Sequence, residues 1–172
     1  MFPVLVERWR PLAAQAAARA SRRHGVTVPV DLVLAVVQRE SMPAGNPASV
    51  GDNGRSFGLM QVKDTTAAEM GLASPRLLLS PAVGLAYGAD YLGRQLARYG
   101  GRVPHAVAAY NAGSARFDER ERFTNQRYVD HVLDALRNGA AAALPKPTLG
   151  WIMAGVGALL LAAAVASARA QR

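Results

Sequence analysis

Apolar residues recur at helical spacing along most of the first 137 positions, and no stretch alternates with period two beyond a few residues. A helix turns about 100° per residue, so positions three, four and seven apart share a face. Pro29 suits a first helical turn, and the helix it opens runs to about Ser41, with Val30, Val33 and Val37 on one stripe. Glu40 lies seven on from Val33 and three on from Val37, so a carboxylate continues the apolar stripe. Burial disfavours the charged form of a carboxyl group, raises its pKa and keeps a proton available near neutral pH, as a general acid requires. The plainer reading is that Glu40, close to a helix end, swings outward and pairs with Arg39.

The same punctuation places the remaining elements. Asp64 can cap a short helix that stops at Gly71. Ser80 and Pro81 start a longer one, with Val83, Tyr87 and Tyr91 on its apolar face and Gly100 and Gly101 at its end. Pro104 opens another that closes near Gly113. The last covers about Thr124 to Arg137, with Tyr128, Val132 and Leu136 four apart and Gly139 behind it. Between Met42 and Gly58, "MPAGNPASVGDNGRSFG" is too rich in Gly, Pro, Asn and Ser for helix, and holds a short irregular hairpin at most. The class is all-α, or α+β at the limit.

The two ends differ. Residues 1–28 carry Glu7, Arg8 and Arg10 inside what a secretory signal would need as an unbroken apolar run, so they read as a mature helical segment. Leu149 to Ala168 runs twenty residues without a charge, close to the roughly 20 that cross a bilayer core of about 30 Å. Lys146 precedes this run, Arg169 and Arg172 follow it, and Trp151 stands where an interfacial aromatic would. The expectation is a body at 29–140, a proline-containing linker at 141–148 and a single transmembrane helix at 149–168; a buried alanine-rich helix is the alternative. The lipid bilayer is then one partner.

Composition narrows the chemistry. The absence of cysteine excludes disulfides, thiolate-bound zinc and a thiol nucleophile, and His24, His105 and His131 lack metal-ligand spacing. Neither metal nor cofactor is expected. The formal charge of +8 comes almost wholly from arginine, since Lys63 and Lys146 are the two lysines, and it favours anionic partners such as wall polymer or phospholipid. Nucleic acid is not expected: Arg8, Arg10, Arg19, Arg22 and Arg23 spread along a helix without a recognition motif, as on a solvated basic face.

Three short motifs follow in order: "ES" at Glu40 and Ser41, "GLMQ" at Gly58 to Gln61, and "AYNAG" at Ala109 to Gly113. Together with "RYVDHVL" at Arg127 to Leu133, they resemble the signatures of the soluble lytic transglycosylase family, over roughly Pro29 to Arg137. The resemblance implies a goose-type lysozyme-like helical domain with a turn-rich active-site loop. It implies cleavage of the β-1,4 bond between N-acetylmuramic acid and N-acetylglucosamine in peptidoglycan glycan strands, leaving a 1,6-anhydro end. By similarity Glu40 is the catalytic acid and base, and Ser41 orients groups beside it or bonds to helix backbone. Met60 offers an adaptable apolar surface and Gln61 a donor and acceptor for the sugar. By similarity Tyr110 would lie along a sugar ring with Asn111 bonded to it, the plainer reading being a helix end closed by Gly113, and Tyr128 would point its hydroxyl at Glu40 or else be a half-buried core phenol.

Two alternatives stay open. Ordinary glycosidases use two carboxyl groups, and Asp52 in the polar loop "VGDNGRS" could hold a water, which would make this a hydrolysing muramidase; Asp64 is better explained as a cap. The other is an inactive, membrane-anchored wall-binding module. An anchored domain without a secretory signal would by default stay on the cytoplasmic side, away from the wall. Carriage in a phage particle, in a virion membrane, would resolve this and open the wall locally during genome delivery. A bacterial inner membrane, with an envelope machine as partner, is the alternative location.

Overall fold

The computed structural model describes residues 2–41 and 45–143 of the 172. Seven α-helices and a small sheet make up the described body: α1 (Val4–Glu7), α2 (Arg10–His24), α3 (Val30–Glu40), β1 (Val50–Gly51), β2 (Ser56–Phe57), β3 (Val62–Lys63), α4 (Asp64–Glu69), α5 (Pro81–Arg98), α6 (Val103–Ala112) and α7 (Gln126–Ala143). Helix α3 is the centre. Every residue from Leu32 to Val37 is buried, so this helix is enclosed on all sides for nearly two turns rather than along one stripe. It meets solvent again only at Gln38 to Glu40.

Helices α1 and α2 belong to this body. Phe2 and Val6 are buried, and α2 lays Ala13, Ala16, Ala17 and Ala20 against α5. Alanines leave no long side chain between the axes, so the helices pack closely. Arg10 binds Glu7 and, at 2.8 Å, Asp31 at the start of α3. His24 Nε2 lies 2.9 Å from Asp90 Oδ1 and Arg23 3.2 Å from Asp90 Oδ2, which fastens α2 to α5.

The loop expected to hold at most an irregular hairpin is a three-stranded antiparallel meander in the order β1-β2-β3, with Val50 opposite Phe57 and Phe57 opposite Val62. The all-α reading is corrected to α+β, helices with one small sheet. Each strand has two residues, too few for a period-two pattern to register in the sequence. A 3-10 turn at Pro75–Leu79 before α5, with Leu78 buried, was also not foreseen.

Two helix assignments also change. The buried face of α5 is centred on Leu85, Ala89, Leu92 and Leu96; of the residues expected on it Tyr91 is buried, while Val83 and Tyr87 are half-buried. Glycine shifts the face: a Cβ on Gly88 would stand 2.4 Å from Met60 Sδ, so the "GLMQ" segment packs directly on the helix backbone. Helix α7 does not stop near Arg137 but continues through Gly139 to Ala143. Gly139 makes room there, since its Cβ would lie 2.2 Å from the ring of Phe2. The expected span at 149–168 and most of its linker lie outside the described residues. Among the described residues no helix is long and apolar enough to cross a membrane.

Candidate active site

A cleft of about 560 Å³ opens where the last turn of α3 faces the small sheet on one side and the end of α6 on the other. Glu40 reaches its floor. Asp52, Ser56, Gln61 and Lys63 line the sheet wall, and Tyr91, Tyr110 and Asn111 the helical wall.

Glu40 does not pair with Arg39. Its Oε1 accepts a hydrogen bond from the Tyr128 hydroxyl at 2.6 Å, a short, strong geometry for a carboxylate. That contact fixes the carboxyl by one oxygen at the cleft it lines. Burial raises the Glu40 pKa above the ordinary carboxyl value; the Tyr128 hydrogen bond and the charge of Arg39 oppose the rise. The carboxyl also sits at the C-terminal end of its helix, where the backbone carbonyls disfavour negative charge. Burial, with the adjacent Glu40 charge, pushes the Tyr110 and Tyr128 phenols well up, so both remain neutral donors.

The sequence-derived candidates take several different places. Ser41 is buried, and its hydroxyl donates to the Val37 carbonyl at 2.9 Å, closing α3. Met60 is fully buried in the core, so it offers no surface to a ligand; its carbonyl accepts the Tyr110 hydroxyl at 2.8 Å. Tyr110, held by that bond and by Tyr91 at a centroid distance of 5.1 Å, is 7% exposed and gives the cleft a wall edge rather than an open stacking face. Gln61 lines the cleft with φ of 45°, and its amide donates to the carbonyls of Ser49 and Gly58 at 3.1 and 2.9 Å, bracing the loop. Asn111 is exposed to the cleft, its Oδ1 accepting from Asn125 Nδ2 at 2.9 Å. Gly58, φ 76°, makes its close approach to the Leu78 carbonyl rather than to the cleft.

Asp64 is the first residue of α4 and its carboxylate accepts from the adjacent Thr65 amide at 2.7 Å; the N-cap position is Lys63 and no side chain caps this helix, so the expected Asp64 cap is not formed. Asp52 lies in the cleft wall, 3.3 Å from Lys63 Nζ. Three contributors were not anticipated. Asn125 orients Asn111; Lys63 brings a cation to the wall; and the Arg39 guanidinium covers the Tyr128 ring at 5.3 Å. Lys63 follows buried Val62 in a two-residue strand, too short for the sequence to signal which way its side chain faces. No group of three or more His, Cys, Asp or Glu capable of holding a metal occurs among the described residues.

A family model described as the transglycosylase SLT domain matches residues 17–132. The chain belongs to that family. Protein IpgF of Shigella flexneri and of Shigella sonnei are each 32% identical to it over 118 residues, covering 66% of this chain and 74% of theirs. Among solved structures, the 70-kDa soluble lytic transglycosylase in complex with bulgecin A is 29% identical over 84% of this chain, with a TM-score of 0.62. An inactive mutant of the lytic transglycosylase Slt from Pseudomonas aeruginosa shares the fold, at 23% identity over 80% of this chain and a TM-score of 0.56. This SLT-domain chain spans 26% of each of those two proteins.

Proposed function

We propose that this SLT-domain protein is a peptidoglycan lytic transglycosylase that works with Glu40 as its one acid and base. The observation that carries the proposal is the setting of Glu40: a carboxyl group at the end of an enclosed helix, one oxygen fixed by Tyr128, in the lining of a saccharide-sized cleft. Protonated Glu40 gives its proton to the glycosidic oxygen as the bond to the muramyl anomeric carbon breaks. The carboxylate so formed, stabilised by the Tyr128 hydroxyl, takes the proton of the muramyl 6-hydroxyl as that oxygen bonds to the anomeric carbon. Water is neither consumed nor released, and the acid is restored.

Asp52, the other carboxylate of the cleft, stands 3.3 Å from Lys63 Nζ; a water activated there would make the reaction a hydrolysis. Digestion of purified sacculi tests the reaction: soluble fragments with 1,6-anhydro ends are expected from the wild type and none from Glu40→Gln. A wild type that releases no fragments contradicts the proposal.

The location proposed is a membrane, through the uncharged run at 149–168, with carriage in a phage particle and local wall opening at genome delivery. The folding of residues 4–24 into the body supports their reading as mature protein. Immunoblotting of purified virions and of host envelopes tests it; presence in envelopes of uninfected cells and absence from virions contradicts it.

A further inference from the structure

We propose that Lys63 selects for anionic glycan strands, its ammonium leaving Asp52 to bind a carboxylate of the peptide stem carried by the substrate. The inference rests on the transglycosylase reading above and adds a determinant of specificity.

Of the 20 lysines and arginines in the chain, 18 are arginine, yet among the described residues the cation that lines the cleft is a lysine. Strand pairing sets Lys63 opposite Ser56, and both line the cleft, Ser56 buried and Lys63 half-exposed. An ammonium on a flexible four-carbon stem can follow a mobile carboxylate, which the rigid guanidinium fork does less well.

Its partner is presented by an unusual turn. Asp52 and Asn53 both adopt φ near 50°, a left-handed conformation uncommon outside glycine and often retained where a side chain must be displayed. The two side chains are about half exposed, 53% for Lys63 and 47% for Asp52. Exposed pairs shift an equilibrium by about fivefold at most, so this one exchanges readily for a competing anion. The stem peptides of peptidoglycan hang from the muramyl lactyl group and carry free carboxylates. A muramyl ring bound with its anomeric carbon at Glu40 therefore brings those carboxylates into the cleft that Lys63 lines.

The test uses uncrosslinked, peptide-bearing glycan strands, either native or with their carboxylates amidated by carbodiimide and excess ammonia, which changes charge with little change in size. Wild-type kcat/KM is expected to fall about fivefold on amidation, chiefly through KM. Lys63→Gln is expected to cleave both strands with equal kcat/KM, and Lys63→Arg to discriminate less than the wild type. A Lys63→Gln variant with the wild-type ratio, or a wild type indifferent to amidation, overturns the inference. Failure of the wild type to cleave either strand overturns the reaction assignment, and this inference with it.

Discussion

The cleft has two carboxylates, and they are mounted in opposite ways. Glu40 ends a helix whose preceding two turns are enclosed in the core, and it has a phenol as its partner. Asp52 stands in a left-handed turn of a polar loop, half exposed and beside a lysine. The first setting favours the protonated form and fixes one oxygen of the carboxyl; the second sets a carboxylate beside a cation at the half-exposed wall of the cleft. One fold thus builds an acid and an ionic rim from the same functional group.

Breaking the first carboxylate should have the largest effect. Glu40→Gln keeps the shape and removes the proton, and wall-lysing activity should fall by about 10³-fold. The same variant should be more thermostable than the wild type at neutral and alkaline pH. A carboxyl whose folded pKa is raised contributes stability that is fully present below its unfolded pKa and is lost as pH rises through the folded one. The difference in melting temperature between the wild type and Glu40→Gln should therefore narrow on acidification.

Tyr128→Phe removes the hydrogen bond to the carboxylate and should lower kcat by about tenfold, within the range for hydrogen bonds to charged groups. Arg39→Gln should act more gently, on pH dependence. Protonated Glu40 is the donor, so kcat/KM falls as pH rises through its pKa. Arg39 holds that pKa down, and its removal should move the fall to higher pH; a fall at lower pH would contradict the assignment. Asp52→Asn should have the smallest effect, within about threefold on native strands, as expected for an exposed ion pair. A loss there comparable to that of Glu40→Gln would erase the distinction between the two carboxylates.

The helical skeleton was legible because Pro29, Pro81, Pro104, Gly113 and the apolar spacings act locally. The end of α3 near Glu40 followed from spacing, whereas the direction of the Glu40 side chain stayed open there and is given by its contact with Tyr128. What escaped depends on contacts between distant segments. Gly88 looked neutral in sequence, yet it decides which face of α5 is buried because Met60 packs on it. Gly139 looked like a stop, and Phe2, from near the start of the chain, turns it into a helix interior. Met60 and Ser41 belonged to the motifs but serve the core and the helix end. Motif membership marked the neighbourhood of the cleft, while the direction of each side chain was set by packing.

The claim that Glu40 works alone, with no water activated by Asp52, is tested most directly by digesting sacculi in water enriched in oxygen-18 and weighing the released muramyl ends. The account predicts anhydro ends without heavy oxygen, from the wild type and from Asp52→Asn alike. Reducing ends that carry one heavy oxygen in the wild type, and vanish in Asp52→Asn, would contradict it.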